Sequence, residues 1–112
     1  MRKYLSSIVI LLCVLATTLK AQTTGAPFGV NLAGAEFGKI GTDHYGYPTS
    51  EELDYFKSKG LTLFRLPFKW ERLQPELNSA LDAKELKLMR NFVDEAAKRD
   101  LLVILDMHNY AR

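Results

Sequence analysis

Three polar clusters, each directly following an apolar run, hold the side chains of this sequence that are able to do chemistry. Asn31, Glu36, Asp43, His44, Tyr45 and Tyr47 make the first; Arg65, Lys69, Trp70 and Glu71 the second; Asp106, His108, Asn109 and Tyr110 the third. Arg65 brings a planar fork of donors that can hold a carboxylate in one orientation, which a lysine cannot do. His108 and Asn109 supply donors and acceptors side by side. Trp70, Tyr110, Phe37, Tyr45 and Tyr47 combine apolar faces with polar or wet edges, as stacking on an amphipathic ligand requires. Glu36, Asp43, Glu71 and Asp106 are the carboxylates within these clusters. A metal site built from Asp106, His108 and His44 is the competing chemistry. Two histidines without an H-x-H or H-E-x-x-H spacing give it little support.

The elements that must position these groups alternate strand and helix. Residues 27–31 (PFGVN) are a short apolar run bounded by glycines, a candidate first strand. A Gly-rich loop over 34–48 leads to Thr49, which with Glu52 forms a capping box at the start of a helix. Leu53 and Phe56 give that helix an apolar face, and Gly60 sits where a left-handed residue ends it. Residues 61–66 (LTLFRL) are apolar on both faces, as in a covered parallel sheet, and Pro67 biases Leu66 toward extended geometry. Asp82 with Glu85 repeats the capping pattern ahead of Leu86, Met89, Phe92 or Val93, and Ala96 at helical spacing. Residues 101–105 (LLVIL) make a third strand. FKSKG-LTLFRL and AAKRD-LLVILD form a weak internal repeat.

This β-α-β-α-β order, with short αβ turns and long βα loops, predicts an α/β fold: a (β/α)8 barrel or a doubly wound sheet. Both put the site at the strand C-termini. No G-x-G-x-x-G or Walker pattern follows a strand, which argues against nucleotide binding. Three strands and two helices are only the start of a barrel of about 250 residues, so the sequence reads as the N-terminal part of a longer chain.

Residues 1–21 have the pattern of a secretory signal peptide: Arg2 and Lys3, an apolar core over 8–16 (IVILLCVLA), and Ala21 at the cut. The apolar stretch is shorter than the roughly 18 residues of a membrane span. Cys13, the only cysteine, lies within it, so disulfide and thiol chemistry are excluded for residues 22–112. Three of the fifteen Lys+Arg lie there too, leaving twelve against thirteen Asp+Glu. That balance offers no electrostatic case for nucleic acid or an anionic membrane. The expected location is secreted, extracellular or periplasmic; oligomeric state is left open.

GVNLAGAEFG (29–38), FRLPFKWERLQP (64–75) and LDMHNYAR (105–112), in this order and at these separations, resemble the opening third of glycoside hydrolase family 5, above all its endoglucanases. The resemblance spans Phe28 to Arg112. It implies a (β/α)8 TIM barrel of which the first three strands and two helices are present. It further implies retaining hydrolysis of internal bonds in cellulose or a related β-glucan; on the residues themselves no cofactor and no metal are expected. A matching arginine in this family keeps the nucleophile ionised, a role that falls to Arg65. The matching histidine binds the sugar at the cleavage subsite, a role for His108, with Asn109, Tyr110 and Trp70 expected to line the substrate site. A retaining enzyme needs two carboxyls about 5–5.5 Å apart. In the family these glutamates follow the fourth and seventh strands, so no catalytic residue is expected here and the chain as given is expected to be inactive. Glu36 and Glu71 are expected to make loop hydrogen bonds or rim ion pairs. A rim salt bridge for Arg65 and a structural role for His108 are the plainer alternatives. For the whole protein, a relative acting on mannan or xyloglucan and a non-catalytic carbohydrate-binding barrel are the rival readings.

Overall fold

Helix caps and strand pairing set the ends of every element. The computed structural model describes residues 27–110, and the expected leader at 1–21 lies outside the described residues. Along the chain run β1 (Gly29–Asn31), α1 (Ser50–Ser58), β2 (Leu63–Phe68), α2 (Trp70–Leu73), α3 (Ala83–Ala97) and β3 (Leu102–Met107). Thr49 Oγ1 accepts from the Glu52 amide and the Glu52 carboxylate accepts from the Thr49 amide, the full capping box. At Asp82 only half of that box forms. Asp82 Oδ1 accepts from the Lys84 and Glu85 amides, but the Asp82 amide donates to Leu73 O at 2.7 Å. The Glu85 side chain is thereby released for another partner.

Helix ends carry the internal repeat. Gly60, at φ 83°, closes α1 with Gly60 N donating to Lys57 O and Leu61 N to Phe56 O. Asp100, at φ 56°, takes the same place after α3, with Asp100 N donating to Ala97 O and Leu101 N to Ala96 O. An aspartate tolerates the left-handed region but glycine occupies it without steric cost. Asp100→Gly is therefore expected to stabilise the full-length protein by up to about 1 kcal/mol, read from its urea midpoint: relief of a Cβ in the left-handed region gains about 1–2 kcal/mol and the looser unfolded chain returns about 0.4–1 kcal/mol. No gain would mean that the Asp100 side chain has compensating contacts.

The three strands form one parallel sheet in the order β1-β2-β3. Asn31 stands opposite Arg65, and Arg65 opposite Ile104. The strands run further toward their C-termini than composition alone indicates: β2 ends at Phe68 rather than Leu66, and β3 at Met107 rather than Leu105. Pairing explains this, since Phe68 O accepts from the His108 amide. Pro67 is tolerated inside β2 for a geometric reason. Leu63 N donates to Phe28 O and Arg65 O accepts from Leu32 N, so odd-numbered residues of β2 address β1. At Pro67 β1 has already ended, and the missing N–H removes no ladder bond.

Even-numbered residues of β2 face the helices. Phe64 and Leu66 are fully buried with Leu53 of α1, Met89, Phe92 and Ala96 of α3, and Leu101. The opposite face carries Leu63, Leu102 and Ile104, and toward the strand exits Arg65 and Asp106. Leu102 and Ile104 are half exposed there, because no described element packs on that side. The expected two long helices are present. The four-residue α2 is additional, in the stretch read as a loop after the second strand, and is too short to show helical periodicity.

Candidate active site

Arg65 lies on the sheet face turned away from the helices, and the exits of all three strands converge on it. Nη1 donates to Asn31 Oδ1 and Nη2 to Asp106 Oδ2, each at 2.5 Å. His108 Nδ1 stands 3.0 Å from the same Asp106 oxygen and 3.2 Å from Nη2. Parallel register makes this possible: Asn31 is the cross-strand neighbour of Arg65, and Asp106 follows two residues after the neighbour on β3. Arg65, Asp106 and His108 are each about a third exposed. Charge pairing is therefore partly screened, and the value of the cluster lies in orientation more than in stability. Of the five guanidinium N–H groups, the one on Nε and one on Nη1 have no partner among the described residues, leaving donors for an incoming carboxylate.

The loops after β2 and β3 are stitched together by Asn109. Its Oδ1 accepts from the Trp70 amide at 2.9 Å, which caps α2 where Lys69 makes no side-chain cap. Its Nδ2 donates to the Glu71 carboxylate. Both ends of the carboxamide are thus spent on protein groups. The Glu71 carboxyl is held below its usual range, chiefly by its own backbone amide and then by Asn109. Trp70 anchors its indole N–H on Gln74 Oε1 at 3.1 Å while its ring stays 40% exposed. Tyr110, at φ 51°, holds a conformation rare for a bulky side chain and sets its ring edge-on against His108, centroids 4.4 Å apart.

The loop after β1 goes elsewhere. Arg72, on α2, donates to the carbonyls of Ala35, Phe37 and Gly38 at 2.5–2.9 Å and lies over the Tyr45 ring at 4.3 Å. The Tyr45 hydroxyl donates to the buried Glu85 of α3, the partner that the half-formed cap released. Burial, then the Glu85 carboxylate, raises the Tyr45 phenol well above its ordinary range; the same two causes push Tyr47 up to about 12. Tyr47 packs against the helix-side core. Neither ring stands with the Arg65 cluster; Phe37 keeps an exposed ring. Glu36 accepts from the Gly34 amide, a loop hydrogen bond as expected. Among the described residues no group of three His, Cys, Asp or Glu side chains is placed to hold a metal ion.

Of the expected site residues, Arg65 and His108 come together directly, Tyr110 joins through His108, and Trp70 and Asn109 form a second group linked along the chain. Asn31 and Asp106 stand among the polar clusters of the sequence, but their pairing with Arg65 is not read from residue type. By type Asp106 reads as a candidate catalytic carboxylate or as a metal ligand beside His108, not as a partner of Arg65. Its pairing with Arg65 depends on strand register, which no local pattern encodes.

Parallel strand–helix units with a polar constellation at the strand C-termini have the form in which a (β/α)8 barrel opens. The profile of Cellulase (glycosyl hydrolase family 5) matches residues 21–112, and the chain belongs to that family. Endo-beta-1,4-glucanase B of Emericella nidulans is 37% identical over 87% of this chain and 31% of its own length. The endoglucanase Cel5A of Pseudomonas stutzeri, solved with cellobiose, superposes at a TM-score of 0.71 with 41% identity, covering 77% of this chain and 28% of that one. An endo-beta-1,4-glucanase of Xanthomonas axonopodis pv. citri does so at 0.71 with 45% identity, covering 78% and 30%. The chain thus spans under a third of the length of these relatives.

Proposed function

We propose that this chain is the first part of a retaining endo-β-1,4-glucanase. The carrying observation is Arg65 tied to Asn31 and Asp106 at three strand exits, with donors left over and His108 beside it. In this reading the free guanidinium N–H groups hold the nucleophilic carboxylate ionised against the second carboxyl that the reaction requires. His108 meets a sugar hydroxyl, and the exposed faces of Trp70 and Tyr110 cover apolar pyranose surface. Asn109 serves the cleft by fixing Trp70 and Glu71. Both catalytic glutamates come from later strands, so residues 22–112 alone turn over nothing. Cellobiose bound to the Pseudomonas relative supports a β-linked glucan as ligand. Residues 1–21 direct export and are removed, and 22–112 belong to the catalytic domain of a secreted enzyme; no described helix is long and apolar enough to cross a membrane.

The test compares the full-length protein on a soluble β-1,4-glucan and on mannan. The glucan rate is expected to be at least about tenfold higher, the discrimination that a few sugar-hydroxyl contacts provide. A preference for mannan overturns the substrate, and absence of hydrolysis on both overturns the enzyme.

A further inference from the structure

We propose that Asp106 is a positioning residue that fixes the tautomer of His108, so that the imidazole presents a bare Nε2 acceptor to the substrate. This rests on the glucanase reading for the identity of the ligand, but the tautomer itself does not. For the neutral ring the geometry leaves one satisfactory distribution of protons. Arg65 can only donate, and Nη2 already gives a hydrogen to Asp106 Oδ2 at 2.5 Å. His108 Nδ1 lies 3.0 Å from that oxygen and 3.2 Å from Nη2. If Nδ1 were bare, its lone pair would oppose a carboxylate lone pair at 3.0 Å, with only the longer contact to Arg65 in return. With a proton on Nδ1, two donors converge on one carboxylate oxygen, an ordinary charge-assisted arrangement. A hydrogen bond at one ring nitrogen decides what the other can do.

Two further contacts hold the ring in place. The His108 amide donates to Phe68 O, locking the backbone to the end of β2. The Tyr110 ring packs on the imidazole at 4.4 Å. Neutral His108 therefore accepts a hydrogen bond from a sugar hydroxyl and does not donate one.

Nitrogen-15 NMR of the histidine-labelled full-length protein tests this, with His108 assigned by the signals lost in His108→Gln. In the wild type, at a pH where His108 is neutral, a pyrrole-type signal is expected at Nδ1 and a pyridine-type signal at Nε2. Asp106→Asn can keep an oxygen at the shared position and is expected to retain that pattern. Asp106→Leu removes the acceptor, lets Arg65 donate to Nδ1, and is expected to reverse the two signals. A wild-type protein with the proton on Nε2 overturns the proposal even if the leucine variant fails to fold. A leucine variant that folds and keeps the wild-type pattern overturns it as well. Glucan hydrolysis enters neither readout, so the proposal and the assignment of activity fail separately.

Discussion

Arg65→Lys in the full-length protein is expected to lower kcat on a soluble β-glucan by about a hundredfold or more, with a much smaller change in KM. The substitution keeps the positive charge next to Asp106 but loses the fork. Arg65 uses two different nitrogens to reach Asn31 on one neighbouring strand and Asp106 on the other, and retains N–H groups on Nε and Nη1. A lysine has one nitrogen at the end of a flexible stem and cannot span both strands while also fixing a further carboxylate. Misplacing a reacting group by about 1 Å costs on the order of 10²-fold, which sets the expected size. The partial exposure of the Arg65–Asp106 pair argues that stability changes little. Near-normal kcat in the lysine variant would reduce Arg65 to a rim salt bridge.

Phe64→Ala is expected to destabilise the full-length protein by about 3–5 kcal/mol, the range for deleting a fully buried phenylalanine. Phe64 sits on the central strand with no exposed surface, next to Val30 on one side and Val103 on the other. Its ring packs at a tilt on Phe56 of α1, centroids 6.3 Å apart. Neighbours held by two paired strands and a capped helix cannot collapse into the space, so the cavity term adds to the lost transfer energy. Urea unfolding measures the effect, and Tyr55→Ala, on the exposed side of α1, supplies the control with a change of about 1 kcal/mol or less. Equal losses in the two variants would mean that the sheet does not rest on α1 as described.

Local sequence was sufficient wherever a feature is encoded within a few neighbouring residues. Thr49 and Glu52, Gly60, and the apolar period of α3 each act over one or two helical turns, and the structure forms them where the residues stand. The alternation of apolar runs and amphipathic stretches likewise determined a parallel α/β architecture, because a strand buried on both faces leaves few other ways to cover it. The motifs after each strand were enough to single out Arg65 and His108, which the structure brings together, and to identify the family.

Tertiary structure decided which polar groups meet. Strand register brings Asp106, with His108 two residues further on, to the Arg65 guanidinium, and a shift of one residue would turn the Asp106 side chain to the helix face. The half-formed cap at Asp82 shows the same dependence from the other side: Leu73 O takes the Asp82 amide, Glu85 is freed, and Tyr45 is drawn away from the strand exits to meet it. The carboxamide of Asn109 was committed to Trp70 and Glu71 by the meeting of two loops from different strands. The Tyr45–Glu85, Arg65–Asp106, Trp70–Asn109 and Glu71–Asn109 contacts join residues 38 to 41 positions apart. Residue types in the sequence named the participants, but hydrogen-bond competition across strands assigned their partners.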